Sequence, residues 1–202
     1  MKALILGHGY TAGFLTPRLR DRGWQVTGTT RDAPDRVRAA GATPLLWPGD
    51  ADGVRRAIAG ADAILISAGP DQGGDPVLAD FAADFAHARP RWLGYLSTTG
   101  VYGDRDGGWV DEDSALAPTT RRGRDRVAAE QAWQRLAAEQ DLPLPPAEDY
   151  ATAEMTPMAR SFYAESKRVA NDLIKRELGV RLIYPDYRAG LAALLEAEDT
   201  PA

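Results

Sequence analysis

Short, continuously apolar runs alternate along most of this chain with longer segments whose apolar residues recur at helical spacing. The runs at residues 3–6 and 63–67 are typical of parallel strands that are buried on both faces. The pattern predicts further strands at 24–30, 44–47 and 92–96, and helices through residue 22 and at 34–40, 52–59, 77–88 and 127–140. This alternation predicts an α/β fold with a doubly wound parallel sheet.

The first predicted strand leads into a turn of small residues with the spacing G-x-G-x-x-A. Gly7 can adopt the backbone angles of a tight turn, Gly9 lets the backbone approach a phosphate, and Ala12 allows close packing of the following helix. The helix N-terminus offers free N–H groups to an anion. The turn therefore predicts a Rossmann-like dinucleotide site, and its predicted contacts are Gly7, Gly9, Tyr10, Thr11 and Ala12. The alternative is an ordinary glycine-rich turn between a strand and a helix.

The end of the second strand decides which nicotinamide cofactor is expected. An acid there would bind the ribose 2′-hydroxyl of NAD, whereas an arginine would accept the 2′-phosphate of NADP. The chain has Thr30 and Arg31 at this point, and Asp32 follows. These residues favour NADP; the alternative is NAD, with Arg31 in solvent and Asp32 on the ribose.

Ligands of doubly wound sheets bind at the carboxyl ends of the strands. Ser67 and Ala68 follow the fourth predicted strand, and Ser97 follows the fifth. We expect these three residues to lie beside the cofactor.

Composition narrows the class of protein. The chain has 202 residues, 44% of them hydrophobic and 26% charged, with a formal net charge of −5 and no cysteine. The negative charge argues against nucleic-acid and membrane partners. With two histidines and no cysteine, no metal site is expected. No apolar stretch approaches the roughly 20 residues of a spanning helix, so a soluble cytoplasmic protein is expected. The expected division is an NAD(P)-binding domain, 1–144, and a short C-terminal helical appendage, 145–202.

Three segments carry a resemblance to a known superfamily: GHGYTA at residues 7–12, TTR at 29–31 and LSTTGVYG at 96–103. They resemble the short-chain dehydrogenase/reductase superfamily, in its extended or atypical branch of NAD-dependent epimerases and dehydratases. Residues 109–112, 118–130 and YPDYRAGL at 184–191 are similar to one atypical bacterial subfamily. The resemblance implies hydride transfer on a small-molecule substrate, with Thr98 and Tyr102 facing that substrate.

The same resemblance implies a Tyr-x-x-x-Lys pair at the start of the next helix, and this chain lacks it there. The surrounding frame is present at Pro118, Gly123 and Glu130, but Arg122 stands in the tyrosine position and Arg126 in the lysine position. A guanidinium stays protonated at physiological pH and cannot exchange a proton as tyrosine does. Arg126 is expected to hold the cofactor, and the usual alcohol–ketone mechanism is in doubt.

The downstream part of the chain departs further from the superfamily. Tyr163 and Lys167 form a literal Y-x-x-x-K, but they are interpreted as surface residues of a predicted helix at 159–178. A short strand or an extended segment is predicted at 180–184, and a last helix at 186–196. A strand and most of the substrate-binding part are expected to be missing after residue 144. A homodimer that covers the resulting exposed edge is one hypothesis.

Three hypotheses for function follow. The first is an NAD(P)-dependent oxidoreductase, or an epimerase or dehydratase that reoxidises its own cofactor, acting on an unknown carbonyl or sugar-nucleotide substrate. The second is a non-catalytic NADP(H)-binding sensor or partner protein. The third is a non-functional truncated relative.

Overall fold

The computed structural model describes residues 1–71, 73–139, 167–177, 179–184 and 189. The chain divides into two compact units, one formed by residues 1–97 with 121–144 and the other by 98–120 with 145–202. The sequence-based division grouped residues 98–120 with the N-terminal part, whereas here they belong to the second unit.

The first unit is built on a five-stranded parallel sheet. Its strands are β1 (Lys2–Leu6), β2 (Gln25–Thr30), β3 (Thr43–Leu46), β4 (Ala63–Ile66) and β5 (Trp92–Tyr95), in the order β3-β2-β1-β4-β5. The central strand β1 pairs on one side with β2 and on the other with β4, where Ala3 lies opposite Ala63. The predicted doubly wound parallel sheet is confirmed.

Five helices of the first unit follow the predicted order. They are α1 (Tyr10–Asp21), α2 (Pro34–Ala39), α3 (Ala51–Gly60), α4 (Pro76–His87) and α5 (Arg121–Glu139). The carboxylates of Asp50 and Asp75 accept backbone N–H groups at the starts of α3 and α4, as N-cap residues do. Helix α5 begins six residues before its predicted start. Its first six residues, 121–126, include no large apolar residue, so the apolar pattern does not mark them as helical.

Two apolar layers cover the sheet. Leu4 and Leu6 of β1 face a cluster with residues of α3, α4 and α5, whereas Ala3 and Ile5 face a second cluster with residues of α1 and α2. Alternate residues of a strand point to opposite faces, so a strand covered on both sides must be apolar throughout. Each fully buried leucine or isoleucine contributes about 1.5–3 kcal/mol.

The second unit contains a 3₁₀ helix (Thr99–Tyr102), strands β6 (Trp109–Val110) and β7 (Arg168–Val169), and helix α6 (Asp172–Glu177). The two strands pair in parallel, and the Arg168 guanidinium lies 5.9 Å from the centre of the Trp109 ring.

The helix predicted at 159–178 is wrong in part. Residues 168–169 form a strand, and within the described range only Asp172–Glu177 is helical. This strand pairs with residues 109–110, about sixty positions earlier in the chain. A segment of two residues is too short to show the periodic pattern of a strand. Residues 179–184 form neither a strand nor a helix, and most of the helix predicted at 186–196 lies outside the described residues.

Among the described residues, no helix has the length and apolar character required to cross a bilayer.

We expect Gly7→Ala to destabilise the first unit by about 1–3 kcal/mol. Gly7 has φ +90°, and an added Cβ would lie 2.6 Å from the Ala68 nitrogen. Urea unfolding measures the effect. Gly13→Ala in α1 is the matched control, because its Cβ would meet nothing within 4 Å and would favour the helix by about 0.5–1 kcal/mol. Equal stabilities of the two variants would contradict this account of the turn.

Candidate functional site

The turn after β1 is fixed from two sides. The Gly7 N–H donates to Thr29 Oγ1 at 2.8 Å, and the His8 N–H donates to the Thr29 carbonyl at 2.7 Å. On the other side, the N–H groups of Ser67 and Ala68 both donate to the Leu6 carbonyl, at 2.8 and 2.9 Å. The turn therefore connects the carboxyl ends of β2, β1 and β4.

Helix α1 begins directly above this turn with an open N-terminus. Gly9 is its N-cap and provides no side-chain cap, and the first turn contains no acidic residue. A Cβ added at Gly9 would meet only the Gly7 carbonyl, at 4.0 Å, so the space above the backbone is free. Ala12 is fully buried against the sheet. Uncapped N–H groups and an open approach fit the pyrophosphate of a dinucleotide.

Tyr10 and Phe14 lie on the exposed side of α1. The Tyr10 residue is 82% exposed, and the two rings meet edge to face with their centroids 4.9 Å apart. Thr11, between Tyr10 and Ala12, is also exposed.

At the end of β2, a second arginine contacts the turn. Thr30 is buried and its Oγ1 accepts the Ala33 N–H at 3.2 Å, while Arg31 is exposed. Arg36 in the first turn of α2 donates from Nη2 to the His8 carbonyl at 3.4 Å. Arg36 was not predicted from the sequence as a residue of this site. Helix α2 begins only a few residues after β2, and this short connection is the signal that could have placed Arg36 near the turn.

His8 has a structural role in the turn. Its ring is buried, with Nε2 2.8 Å from Thr16 Oγ1, and it packs where a side chain on Gly28 would otherwise lie. Burial lowers the pKa of His8, its own backbone hydrogen bond raises it, and the Arg36 charge lowers it further. The imidazole is therefore neutral near pH 7.

Arg126 of α5 lies at the carboxyl ends of β4 and β5. Its Nη1 donates to the Leu96 carbonyl at 2.7 Å and to the Tyr95 hydroxyl at 3.2 Å, and the guanidinium lies 5.6 Å from the centre of the Tyr95 ring. A side chain on Gly69 would come within 2.9 Å of Arg126 Nη2. The structure thus brings Arg126 together with the loop that follows Ser67 and Ala68.

Tyr95 is not suited to exchange a proton near neutral pH. Burial raises its pKa to about 12, although the nearby Arg126 charge and hydrogen bond act in the opposite direction. The phenol remains protonated at neutral pH. Its role in this site is to hold the Arg126 guanidinium.

Glu130 lies one helical turn beyond Arg126 on α5. Burial raises the pKa of the Glu130 carboxyl, and the facing Ser97 hydroxyl and Arg126 lower it. Ser97 Oγ is buried and has no hydrogen-bond partner among the described residues. Within the first unit, the candidate site therefore includes a buried hydroxyl with hydrogen-bonding capacity to spare.

Thr98 and Tyr102, the two candidate catalytic residues, belong to the second unit. Thr98 Oγ1 accepts the Gly100 N–H at 3.3 Å and so caps the 3₁₀ helix, and Tyr102 is buried. Their contact with a substrate stays a prediction. Lys167 Nζ donates to the Gly103 carbonyl at 2.9 Å, and Tyr163 lies outside the described residues.

No protein-family model matches the chain. A solved structure of a conserved protein from Silicibacter pomeroyi is 40% identical in sequence, superposes with a TM-score of 0.78, and aligns over 98% of this chain and 99% of that one. The chain belongs to the family of this protein. The function of the Silicibacter protein is itself unknown.

More distant members of the same fold have names that point to chemistry. A Methylobacillus flagellatus protein assigned as a candidate NAD-dependent epimerase/dehydratase is 19% identical, with a TM-score of 0.69 over 98% of this chain and 99% of that one. UDP-glucuronic acid 4-epimerase from Bacillus cereus, in complex with NAD, is 17% identical, with a TM-score of 0.59 over 71% of this chain and 53% of that one. These likenesses show the Rossmann-like fold.

Protein YeeZ of Escherichia coli is 33% identical over an alignment of 140 positions, and this alignment covers 61% of this chain. The chain spans about half the length of YeeZ, since the alignment covers 49% of it.

We expect Glu130→Gln to become increasingly stabilising, relative to wild type, as the pH rises from about 4 towards neutral. A carboxyl whose pKa is raised by folding stabilises the protein while protonated, and this contribution is lost as the pH rises through the folded-state value. Melting temperatures of both proteins across this range measure the effect. Asp125→Asn, on the same helix and paired with Arg121, is the matched control. A pH-independent difference between wild type and Glu130→Gln would contradict the assignment.

Proposed function

We propose that this chain binds a nicotinamide dinucleotide at the carboxyl ends of β1, β2, β4 and β5, and that it is an oxidoreductase of the epimerase/dehydratase type. The observation that carries the proposal is the uncapped start of α1 above Gly9, held in place by the Gly7 turn. NAD-bound relatives of this fold, such as the Bacillus cereus epimerase, support the same class of cofactor.

The residues of the first unit fit the three parts of such a cofactor. Gly7, Gly9 and the first residues of α1 (Tyr10, Thr11 and Ala12) would hold the pyrophosphate. Thr30, Arg31 and Arg36 would hold the adenosine ribose. Ser67, Ala68, Ser97 and Arg126 would hold the nicotinamide half. The bound cofactor would supply hydride transfer to or from a carbon of the substrate.

Within this proposal, NADP is the preferred cofactor and NAD the alternative. Arg36 reaches back to the His8 carbonyl, so a guanidinium lies beside the turn after β1, which is hydrogen-bonded to Thr29 near the end of β2. Two arginines near one ribose suit a 2′-phosphate, because charge-assisted hydrogen bonds from arginine to phosphate are strong. Asp32 is the residue that would favour NAD instead.

A second candidate function is a cofactor-binding sensor without turnover. The observation that favours it is the site around Arg126, where an arginine replaces the lysine of the superfamily and the nearby phenol of Tyr95 has a pKa of about 12. Tight NADPH binding without consumption across carbonyl and sugar-nucleotide compounds would support the sensor. A truncated relative that lacks a middle segment remains the third hypothesis, and a broad, non-cooperative melt would support it.

We expect Arg36→Ala to weaken NADPH binding by about 10-fold to 100-fold, since a hydrogen bond to a charged group contributes about 1.5–3 kcal/mol. NADH binding should change little. Titrations followed by cofactor fluorescence measure both constants. Arg38→Ala is the matched control, because Arg38 lies on the same helix and pairs with Asp35.

The same titration of the Arg31→Ala variant shows which of the two arginines contacts the 2′-phosphate. A larger loss in Arg31→Ala than in Arg36→Ala would assign the 2′-phosphate to Arg31. A wild-type preference for NADH would overturn the NADP assignment while leaving dinucleotide binding intact.

The hypothesis of a homodimer also belongs to this proposal. A cavity of about 260 Å³ lies between α1 and the sheet, with a lining that is almost wholly apolar and includes Leu15, Leu19 and Trp92. Trp92 on β5 is 53% exposed, so a partner molecule could cover it. We expect size-exclusion chromatography with light scattering to give the mass of a dimer, and Trp92→Glu to shift it to that of a monomer. A monomeric wild-type protein would contradict the hypothesis.

A further inference from the structure

Helix α5 is attached to the rest of the first unit by a buried hydrogen bond seven residues beyond Arg126. Trp133 is buried, and its indole Nε1–H donates to Asp75 Oδ2 at 3.0 Å. Residues seven positions apart lie on the same face of an α-helix, so Trp133 and Arg126 project from the same side of α5. The bond therefore anchors the helix face that carries the guanidinium.

The Asp75 carboxylate serves two helices at once. Its Oδ1 accepts two backbone N–H groups at the start of α4, at 2.9 and 3.1 Å, while its Oδ2 accepts the Trp133 indole. Asp75 is also the last residue of the loop that follows β4, and Gly69 near the start of that loop lies beside Arg126. Helix α5 thus meets the loop at both ends, through Arg126 at one and Trp133 at the other.

The Tyr95 side chain contacts both residues of α5. Its hydroxyl accepts Arg126 Nη1–H at 3.2 Å, and its ring centre lies 6.4 Å from that of Trp133. Trp133 also meets Phe85 of α4 edge to face, with the ring centres 4.9 Å apart. The same Nη1 of Arg126 donates to the Leu96 carbonyl at 2.7 Å. A movement of α5 would therefore disturb the Trp133 bond and both acceptors of the guanidinium together.

We propose that Trp133 and Asp75 are positioning residues for Arg126, because their hydrogen bond sets where α5 lies beside the end of β5. This inference rests on the proposed function in one respect, namely that Arg126 holds part of the bound dinucleotide. Trp133 and Asp75 act through Arg126 and need not touch that ligand. A guanidinium is planar and rigid, so one held through Nη1 presents its other N–H donors in a direction that the helix determines.

Nitrogen–proton correlation spectra of the arginine Nε–Hε groups test this positioning without any ligand. The Arg126 signal is assigned by its loss in Arg126→Ala. Trp133→Phe keeps an aromatic ring in the core but removes the N–H donor, and we expect it to shift the Arg126 signal. Asp75→Asn keeps a residue that caps α4 but turns an NH₂ group towards the indole, so it should shift the same signal.

Trp47→Phe is the matched control. Trp47 belongs to the same apolar cluster as Trp133, and its Nε1–H donates to Asp80 Oδ2 at 2.7 Å, so this variant loses the same kind of bond without involving α5. The Arg126 signal should keep its wild-type position. An unchanged Arg126 signal in Trp133→Phe and Asp75→Asn would overturn the proposal. A shift in Trp47→Phe as large as that in Trp133→Phe would also overturn it, because loosening of the core would explain both.

Titrations with NADPH show whether Trp133 acts through Arg126. We expect Arg126→Ala to weaken binding by about 10-fold to 100-fold, because hydrogen bonds from a charged group are lost. Trp133→Phe should weaken binding by a smaller factor, and it should have no further effect when Arg126→Ala is already present. An equal loss in the presence and absence of Arg126 would overturn the proposal, and so would wild-type affinity in Trp133→Phe.

Melting curves establish first that the variants fold. If Trp133→Phe does not fold, Asp75→Asn takes its place in both experiments, with the same expected results. If the wild-type protein does not bind NADPH, the proposed function fails, whereas the spectra still decide whether Trp133 and Asp75 position Arg126.

Discussion

The first unit depends on the close approach of two turns. The backbone at Gly7 comes so near to Ala68 that no side chain fits between them, and two N–H groups of the β4 turn share the Leu6 carbonyl. This contact sets where α1 begins, because Gly9 follows two residues later. It also places the loop after β4 beside the start of α1. Gly69 follows Ala68 in that loop, and a side chain there would come within 2.9 Å of Arg126 Nη2.

Burial, more than the number of charges, determines the chemistry available at the carboxyl ends of β4 and β5. Tyr95 and Glu130 are both shifted towards their protonated forms by loss of water, and Arg126 opposes each shift. The phenol is shifted too far to exchange protons near neutrality, whereas the carboxyl is shifted towards that range. A guanidinium therefore fixes the geometry of this site, and burial favours the neutral form of the carboxyl one turn away.

The sheet and its helices were predictable because each depends on local pattern. Continuous apolar runs mark β1 and β4, and the small residues after β1 mark the turn that joins it to α1. Contacts between distant residues were not predictable in this way. The Arg36 contact with His8 requires α2 to fold back over the turn, and the contact of Arg126 with the Leu96 carbonyl requires α5 to pack beside the end of β5. The pairing of Arg168–Val169 with Trp109–Val110 likewise leaves no trace in the local sequence.

The pairing of Ala3 with Ala63 has a consequence for synthesis in the cell. During translation β1 emerges about sixty residues before β4, and at about 5–20 residues per second this delay is several seconds. In that interval one edge of β1, a strand that is apolar on both faces, has no partner strand. The nascent segment can therefore associate with other chains or with chaperones until β4 has been synthesised and pairs with it.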